Sequence, residues 1–206
     1  MKTLFCGEAF KRLPSELLKK REAFREEGVP SALTDTLSLL CDCVFEKKPD
    51  KILEIGTATG ISGTAMLLTS EKSKLVTVEK DEESFCKAKT TFENFGVFSR
   101  VRQILGDAGD VINYIDDKFD FIFLDGAKAR YLDYYDDLTR LLLSGGTLFA
   151  DNVLFRGYVR GGVKYRHREN TIVRNMRDFL DKIENDKRYS SQIFSVGDGV
   201  LIAEKL

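Results

Sequence analysis

A single histidine, His167, occurs among the 206 residues of the chain, so a zinc site built from several imidazoles is excluded. The chain also lacks an apolar run close to the ~18 residues that a membrane-spanning helix needs, and its N-terminal stretch becomes polar too early for a secretory signal. Its four cysteines include no C-x-x-C pair and no spacing typical of a disulfide framework. We therefore expect a cytoplasmic protein with reduced cysteines and no membrane segment.

An excess of one charge is missing as well, since 32 Lys and Arg residues stand against 33 Asp and Glu residues, for a formal net charge of −1. The chain is therefore not a polycation, and any contact with nucleic acid has to be local. A local excess does occur between residues 156 and 174, here called the basic segment. Its six cations are Arg156, Arg160, Lys164, Arg166, Arg168 and Arg174. By default such a segment is a solvated loop.

The length of 206 residues, 43% of them hydrophobic, suits one well-packed α/β domain and is short for two. We predict one domain over residues 1–206, with N-terminal helices at 1–46 and a core at 50–206. Helices are predicted at 8–27 and 31–46, and near 60–70, 82–95, 108–116 and 129–143. Strands are predicted at KILEIG (51–56), KLVTVEK (74–80), VRQILGD (101–107), FDFIFLDG (119–126), GTLFADN (146–152), SQIFSVGD (191–198) and GVLIAEK (199–205).

Strands and helices alternate at a spacing typical of right-handed βαβ units, which predicts a parallel sheet with helices on both faces. The last two strands differ, because only a Gly-Asp-Gly turn at 197–199 separates them. So short a turn joins antiparallel neighbours but not parallel ones. The expected fold class is therefore α/β, with a mostly parallel sheet whose last strand is reversed.

Polar residues follow the predicted strands at the ends where open parallel sheets bind ligands. They are Glu54, Glu79, Asp107 and Asp125 after the first four strands, and Asp151 with Asn152 after the fifth. One such residue alone is most often a helix N-cap, but five strands that end this way are more typical of a binding edge. Two oxygen-bearing side chains that end an apolar strand indicate a hard-cation site, with a surface turn as the alternative.

A glycine-bearing turn, ILEIGTATGIS at 52–62, leads from the first strand into a helix. It lacks both the G-x-G-x-x-G of dinucleotide enzymes and the G-K-[ST] of a P-loop. Glu54, two residues before Gly56, would repel a phosphate but attract an amino group, as in S-adenosylmethionine, and Gly56 and Gly60 allow close backbone approach. Glu79 is placed to accept ribose hydroxyl protons. The alternative is a packing turn with an exposed glutamate.

Four segments, EIGTATGIS, FIFLDGAK, ADNVLFRG and VGDGVLIAEK, together resemble the cation-dependent class I O-methyltransferases, which include the catechol and caffeoyl-CoA methyltransferases. The resemblance covers nearly the whole chain. Within the family, DNVLFRGYV and VGDGVLIAEK are most similar to the bacterial branch that methylates 5-hydroxyuridine in tRNA. The resemblance implies a Rossmann-like sheet of seven strands with the last one reversed, and S-adenosylmethionine-dependent O-methyltransferase activity.

The resemblance also implies roles for individual residues. Asp125, Asp151 and Asn152 correspond to divalent-metal ligands, and oxygen ligands favour Mg²⁺ or Mn²⁺ over zinc. Lys128 corresponds to the catalytic base beside Asp125, and the alternative is a solvated lysine at a helix start. The implied cofactor contacts are Ala32, Glu54, Gly56, Thr57, Gly60, Ser62, Glu79, Gly106, Asp107, Ala108 and Asp125.

Two kinds of substrate fit the implied chemistry, because a catechol and 5-hydroxyuridine both present two adjacent oxygens to a metal. The branch-specific segments and the basic segment favour the anticodon stem-loop of tRNA, with a small catechol-type acceptor as the alternative. Tyr131 could stack on a substrate base, although packing is the usual role of such a tyrosine. A homodimer through the N-terminal helices is also expected.

Two rival classes use similar sheets or similar charge. A nicotinamide-dependent oxidoreductase is disfavoured by the missing G-x-G-x-x-G. A non-catalytic RNA-binding module would bind tRNA through the basic segment and transfer no methyl group.

Overall fold

The computed structural model describes residues 7–29, 32–161 and 164–206. Two compact units make up the chain, Met1–Ala108 and Gly109–Leu206. The single domain expected over 1–206 stays a prediction. Of the helices in the described ranges, none combines the length and the apolar character needed to cross a lipid bilayer.

Eight α-helices and seven β-strands occur within the described ranges. The helices are α1 (Glu8–Lys11), α2 (Ser15–Glu26), α3 (Thr34–Lys47), α4 (Ile61–Thr69), α5 (Glu82–Asn94), α6 (Ala108–Val111), α7 (Tyr131–Leu141) and α8 (Asn170–Glu184). The strands are β1 (Lys51–Ile55), β2 (Lys74–Glu79), β3 (Val101–Leu105), β4 (Phe119–Leu124), β5 (Leu142–Ala150), β6 (Tyr189–Phe194) and β7 (Val200–Lys205).

The strands form one sheet in the order β3-β2-β1-β4-β5-β7-β6, with the helices around it. In the first unit β2 pairs in parallel with β1 and β3, and in the second unit β4 pairs in parallel with β5. β7 is antiparallel to both β5 and β6. The predicted Rossmann-like α/β fold with a reversed last strand is therefore confirmed.

Strand composition explains which parts of the sheet are buried. Five of the six residues of β4 and three of the five residues of β1 are apolar. The side chains of both strands are buried almost without alternation, which is typical of strands covered on both faces. β5 is longer than the predicted 146–152 at its start. Its extra residues include an exposed stretch at 143–145, where Ser and Gly give no strand signal in the sequence.

The N-terminal helices differ from the prediction in one respect. The single helix expected at 8–27 is two helices, because Pro14 directly precedes α2 and has no N–H to continue α1. The helix expected at 31–46 is α3, which begins at Thr34. Residues 30 and 31 lie outside the described ranges.

Helix α8 was absent from the prediction, which left its first residues in the basic segment. Its buried residues are Val173, Met176, Phe179, Leu180 and Ile183. Their spacing of three or four residues is the signal of an amphipathic helix, and it could have been found. Arg174 therefore lies on a helix and not in a loop.

Candidate functional site

Glu54 lies at the centre of a hydrogen-bonded network in the first unit. Its side chain is fully buried, and it accepts hydrogen bonds from Ser62 Oγ at 2.5 Å and from Thr77 Oγ1 at 2.6 Å. The register of β1 and β2 places Glu54 opposite Thr77. The hydroxyls of Thr77 and Thr57 are 2.5 Å apart, and because Thr77 donates to Glu54, Thr57 donates to Thr77. The carboxylate thus fixes Thr57 and Ser62, two of the predicted cofactor contacts.

The glycine turn has a backbone that requires glycine at Gly60. Its φ is +78°, and a Cβ there would lie 3.1 Å from Ala88 Cα. Gly56 and Thr57 both donate to the carbonyl of Val78, at 3.0 and 3.3 Å. The turn is therefore held against the end of β2. Thr77 was not found in the sequence analysis, because a threonine inside a strand carries no signal of its own.

Glu79 ends β2 with a half-buried carboxylate that is oriented by the backbone. Its Oε2 accepts from the N–H of Ala58 at 2.8 Å, and its Oε1 accepts from Lys80 and Asp81 at 2.9 and 3.0 Å. A carboxylate has about four acceptor positions, so it can still accept from a ligand hydroxyl. Its role at the ribose stays a prediction.

Replacing Glu79 with glutamine is expected to weaken S-adenosylmethionine binding by roughly 10- to 100-fold. We expect a loss of the same size for Glu79→Ala. Glutamine replaces one acceptor oxygen with an NH₂ donor, which then faces a backbone N–H of Ala58 or of Lys80. Hydrogen bonds to a charged group are worth ~1.5–3 kcal/mol, the range that this loss corresponds to. Titration calorimetry with the cofactor measures the effect, and the exposed Glu82→Gln is the control. Unchanged affinity in Glu79→Gln would rule out this role.

Two further predicted cofactor positions are engaged by neighbours. The carbonyl of Ala32 accepts from Arg21 Nε at 3.1 Å and Nη2 at 2.5 Å, and Arg21 is itself buried, which lowers the pKa of its guanidinium. Gly106, which follows β3, donates to the carbonyl of Glu79 at 2.8 Å. This bond places the segment that contains Asp107 and Ala108 next to the end of β2. Their contacts with a cofactor stay predictions.

Asp125 and Asp151 are brought together in the second unit by strand register. Leu124 and Ala150 are paired across β4 and β5, so the residues that follow them are neighbours, and the Asp151 N–H donates to the Leu124 carbonyl at 3.0 Å. Asp151 is 1% exposed, and its Oδ1 accepts from the Asn152 N–H at 2.7 Å. Its Oδ2 is buried and has no hydrogen-bond partner among the described residues.

The surroundings of Asp125 and Asp151 disfavour the charged form of both carboxylates. Burial raises the pKa of Asp125 to about 6, against the opposing effect of Lys128. Burial, and then the charge of Asp125, raise the pKa of Asp151 to about 7. A cation bound at these carboxylates would favour their charged forms and so oppose the effect of burial.

The described residues contain no cluster of three His, Cys, Asp or Glu side chains able to hold a metal ion. The predicted ligand set has only two carboxylates, and its third member is the side-chain amide of Asn152. The unpaired Oδ2 of Asp151 and the raised pKa values of both aspartates are nevertheless what a hard cation would relieve. The residues present therefore fit Mg²⁺ or Mn²⁺, and the metal itself stays a proposal.

Lys128 and Tyr131 lie close to these aspartates. Lys128 is in a single turn of 3-10 helix, Lys128–Arg130, with its Nζ 3.9 Å from Asp125 Oδ1. Tyr131 is fully buried, and its hydroxyl donates to the carbonyls of Leu124 and Asp151, each at 3.2 Å. The suggestion that Tyr131 stacks on a substrate base is therefore wrong. It braces the ends of β4 and β5 instead.

The segment after Asn152 is clamped by the turn between β6 and β7. The carbonyls of Asp198 and Gly199 accept from Leu154 and Val153, both at 2.9 Å, and Asp198 Oδ1 accepts from the Arg156 N–H at 2.5 Å. Asn152, Phe155 and Arg156 have φ values of +57°, +40° and +58°, so the turn holds a strained backbone in place. Asp198 had no role in the sequence analysis.

The six cations of the basic segment do not all lie together. Arg156, Lys164, Arg166 and Arg168 line a cavity of about 510 Å³ together with Tyr158, Tyr165 and Glu169. Arg160 instead donates to Ser195 Oγ at 3.3 Å, and Arg174 is an exposed residue of α8. The structure therefore brings four of the six predicted cations together, and it adds two tyrosines that were not predicted.

Comparison with known proteins matches almost the whole chain to one family. The family model for O-methyltransferases matches residues 8–206. A caffeoyl-CoA O-methyltransferase of Populus kitakamiensis is 29% identical over 208 residues, which cover 97% of this chain and 87% of that relative.

Solved structures give the same result. A Staphylococcus aureus protein provisionally named a caffeoyl-CoA O-methyltransferase superimposes with a TM-score of 0.87 and 28% identity, over 94% of this chain and 93% of that one. The O-methyltransferase of Bacillus cereus, solved in complex with SAH, has a TM-score of 0.83 and 25% identity, over 94% and 92% of the two chains.

Proposed function

Because the chain belongs to the O-methyltransferase family and is an S-adenosylmethionine-dependent O-methyltransferase, we propose that it methylates the 5-hydroxyl group of 5-hydroxyuridine in tRNA, with Mg²⁺ or Mn²⁺. The observation that carries the metal-dependent chemistry is the neighbouring pair Asp125 and Asp151, in which Oδ2 of Asp151 is buried and has no partner among the described residues. The alternative acceptor is a small catechol-type molecule.

The residues of the first unit are assigned to the cofactor. S-adenosylmethionine supplies a methyl group on a positively charged sulfur when it is bound. Glu54 holds Ser62 directly and Thr57 through Thr77, so these hydroxyls are positioned before the cofactor arrives. Glu79 is held by three backbone N–H groups and offers its remaining acceptor position to the ribose. Preorganised groups of this kind lose little entropy on binding.

The residues of the second unit are assigned to the metal and the acceptor. Asp125, Asp151 and the Asn152 side chain would hold the cation, which lowers the pKa of an acceptor hydroxyl when it is bound. Lys128 Nζ is assigned as the group that takes the hydroxyl proton. This Nζ lies 3.9 Å from Asp125 Oδ1. Only the free amine of a lysine accepts a proton, and a cation bound at the carboxylate pair would favour that form.

The choice of tRNA as substrate depends on the basic segment. Four of its cations line one cavity, and a small phenol gains little from so many positive charges, whereas an RNA strand meets them with several phosphates. The segments DNVLFRGYV and VGDGVLIAEK support the same choice, since they resemble the tRNA branch of the family. The names of the relatives point to caffeoyl-CoA, which keeps a small acceptor as the second candidate.

A cytoplasmic homodimer completes the proposal. Leu33 and Phe45, at the start and near the end of α3, are 42% and 43% exposed, which supplies apolar surface in the N-terminal region for a second copy. Sedimentation equilibrium of the full chain tests this, and a monomer at micromolar concentration would remove it.

A methyl-transfer assay with two acceptors tests the proposed function. We expect transfer to tRNA that carries 5-hydroxyuridine, little transfer to a simple catechol, and loss of transfer in EDTA with recovery in excess Mg²⁺. Activity that is unaffected by chelation would exclude the metal. Transfer to the catechol alone would make the small-molecule reading the correct one, and tRNA binding without any transfer would favour an RNA-binding module.

A further inference from the structure

The cavity in the basic segment combines positive charge with aromatic surface. Arg156, Lys164, Arg166 and Arg168 contribute four cations, Tyr158 and Tyr165 contribute two rings, and Glu169 is its one lining acid. Its volume of about 510 Å³ lies within the range of small-ligand sites and is large enough for a nucleotide.

The one acid of the cavity, Glu169, already has partners within the protein, so the cations determine the charge that a ligand meets. Glu169 is buried, its Oε2 accepts from the Arg166 N–H at 2.9 Å, and its Oε1 is 3.7 Å from Arg156 Nη1. The side chains of Lys164, Arg166 and Arg168 form no ion pair with any residue in the described ranges. Three exposed cations beside a carboxylate that is paired with Arg156 favour a ligand with more than one negative charge.

The rings of the cavity belong to a short aromatic row. Phe155 and Tyr158 meet edge to face, with centroids 5.8 Å apart, and Tyr158 and Tyr165 are tilted by 35° with centroids 5.5 Å apart. Tyr165 is at the end of the row and is half-exposed. A half-exposed ring among cations is the arrangement by which proteins stack an unpaired base while they hold its phosphates.

The backbone of the cavity is fixed in advance. Arg177 on α8 donates to the carbonyls of Val159 and Tyr158 at 2.8 and 2.9 Å, and Asp198 holds the N–H of Arg156. Tyr158 and Arg156 are therefore positioned by contacts that involve no ligand. A flexible solvated loop would not need two such anchors, since each orders side chains at a cost in entropy.

We propose that this cavity binds one unpaired nucleotide of single-stranded RNA, with its base on Tyr165 and its flanking phosphates on Arg166, Arg168 and Lys164. The assignment rests on the proposed function, in which the acceptor is a tRNA loop, and it adds a second nucleotide that is read apart from the one that is methylated. A duplex buries its bases, so it offers phosphates but nothing for Tyr165 to stack on.

Fluorescence anisotropy with a short uridine-rich RNA strand tests the inference on the full chain. The strand contains no 5-hydroxyuridine and the buffer no S-adenosylmethionine, so the result is independent of methyl transfer. We expect Tyr165→Leu to weaken binding by about 5- to 100-fold, and Tyr165→Phe to bind like the wild type. Tyr114→Leu is the matched control, because Tyr114 is 85% exposed and does not line the cavity.

The cations are tested by the dependence of binding on salt. Replacing Arg166 and Arg168 with alanine should flatten the slope of log affinity against log salt by about 1.4, the value for two phosphates of a single strand. Tyr165→Leu should leave that slope unchanged, as should the control Arg174→Ala, since Arg174 does not line the cavity. A duplex of equal length should bind Tyr165→Leu and the wild type equally.

Several outcomes would overturn the inference. A change below twofold in Tyr165→Leu, or equal weakening by Tyr114→Leu, would remove the stacking site. Coenzyme A is included because it carries the same phosphorylated nucleotide chemistry. If coenzyme A binds and the cavity variants weaken it while RNA does not bind, the ligand is a small carrier and not an RNA strand. Should Tyr165→Leu fail to fold by circular dichroism, the arginine pair and Tyr165→Phe still decide the result. If the wild type binds the RNA strand as expected but transfers no methyl group to tRNA, the proposed function alone is wrong.

Discussion

Replacing Asp151 with asparagine is expected to lower methyl transfer by ~10³-fold or more and to raise the thermal stability of the metal-free protein. A bound cation contributes several kcal/mol to this kind of chemistry, and ~4 kcal/mol corresponds to about 10³-fold in rate. The stability rises because the substitution removes a carboxylate whose charged form is disfavoured first by burial and then by the charge of Asp125. Each kcal/mol gained corresponds to ~2–4 °C in melting temperature for a chain of this size.

The same pair sets the pH dependence of the metal-free protein. The pKa values of Asp125 and Asp151 are raised above the usual 3.8, to about 6 and about 7. Between pH 4 and 7 the folded chain therefore binds more protons than the unfolded chain, so stability falls as pH rises through this window. Asp151→Asn should reduce that fall, and saturating Mg²⁺ should oppose it in the wild type.

Melting curves in EDTA and in Mg²⁺ at pH 5 and pH 8, together with initial rates, measure both effects. The exposed Asp116→Asn is the control and should change neither. Near wild-type rates of Asp151→Asn at saturating Mg²⁺ would show that the ligand assignment is wrong. If Asp151→Asn melts at a lower temperature than the wild type in EDTA at pH 8, the Asp151 carboxylate stabilises the fold instead.

Replacing Gly199 with alanine should destabilise the protein by ~2–5 kcal/mol, or roughly 10 °C in melting temperature. Gly199 has a φ of +84°, which costs an alanine ~1–2 kcal/mol, and the new Cβ would lie 2.2 Å from Leu154 Cγ and 2.7 Å from Leu154 Cβ. These atoms are close to the backbone and cannot swing away, so the overlap adds ~1–3 kcal/mol. The clamped segment would have to shift.

Gly145 provides a matched control for this substitution. Its φ of +77° is nearly the same, but a Cβ there has no atom within 4 Å, so Gly145→Ala should cost only the backbone term. Leu154→Ala in the Gly199→Ala background should cost less than the sum of the two single changes, because it removes the overlapping atoms. Urea unfolding of the four variants measures this. Equal losses at Gly145 and Gly199 would contradict the packing argument.

The strands and their polar ends could be predicted because both are local properties of the sequence. Apolar runs set β1 and β4, and parallel register then places Asp125 beside Asp151. The role of Tyr131 could not be predicted, since the same helical spacing fits a buried brace and an exposed platform, and only packing distinguishes them. Thr77 and Asp198 were missed because their partners lie 23 and 42 residues away. The break at Pro14 and helix α8 had readable signals.

Strand order gives the clamp a consequence for how each molecule is made. β7 is synthesised after β6 but lies between β5 and β6 in the sheet, so β6 has no strand to pair with until β7 has emerged from the ribosome. The two strands therefore join the sheet together as a hairpin, and the Asp198 turn arrives with them. The segment after Asn152 therefore acquires its final shape only once residues 198 to 205 exist, because Asp198 and Gly199 hold its backbone.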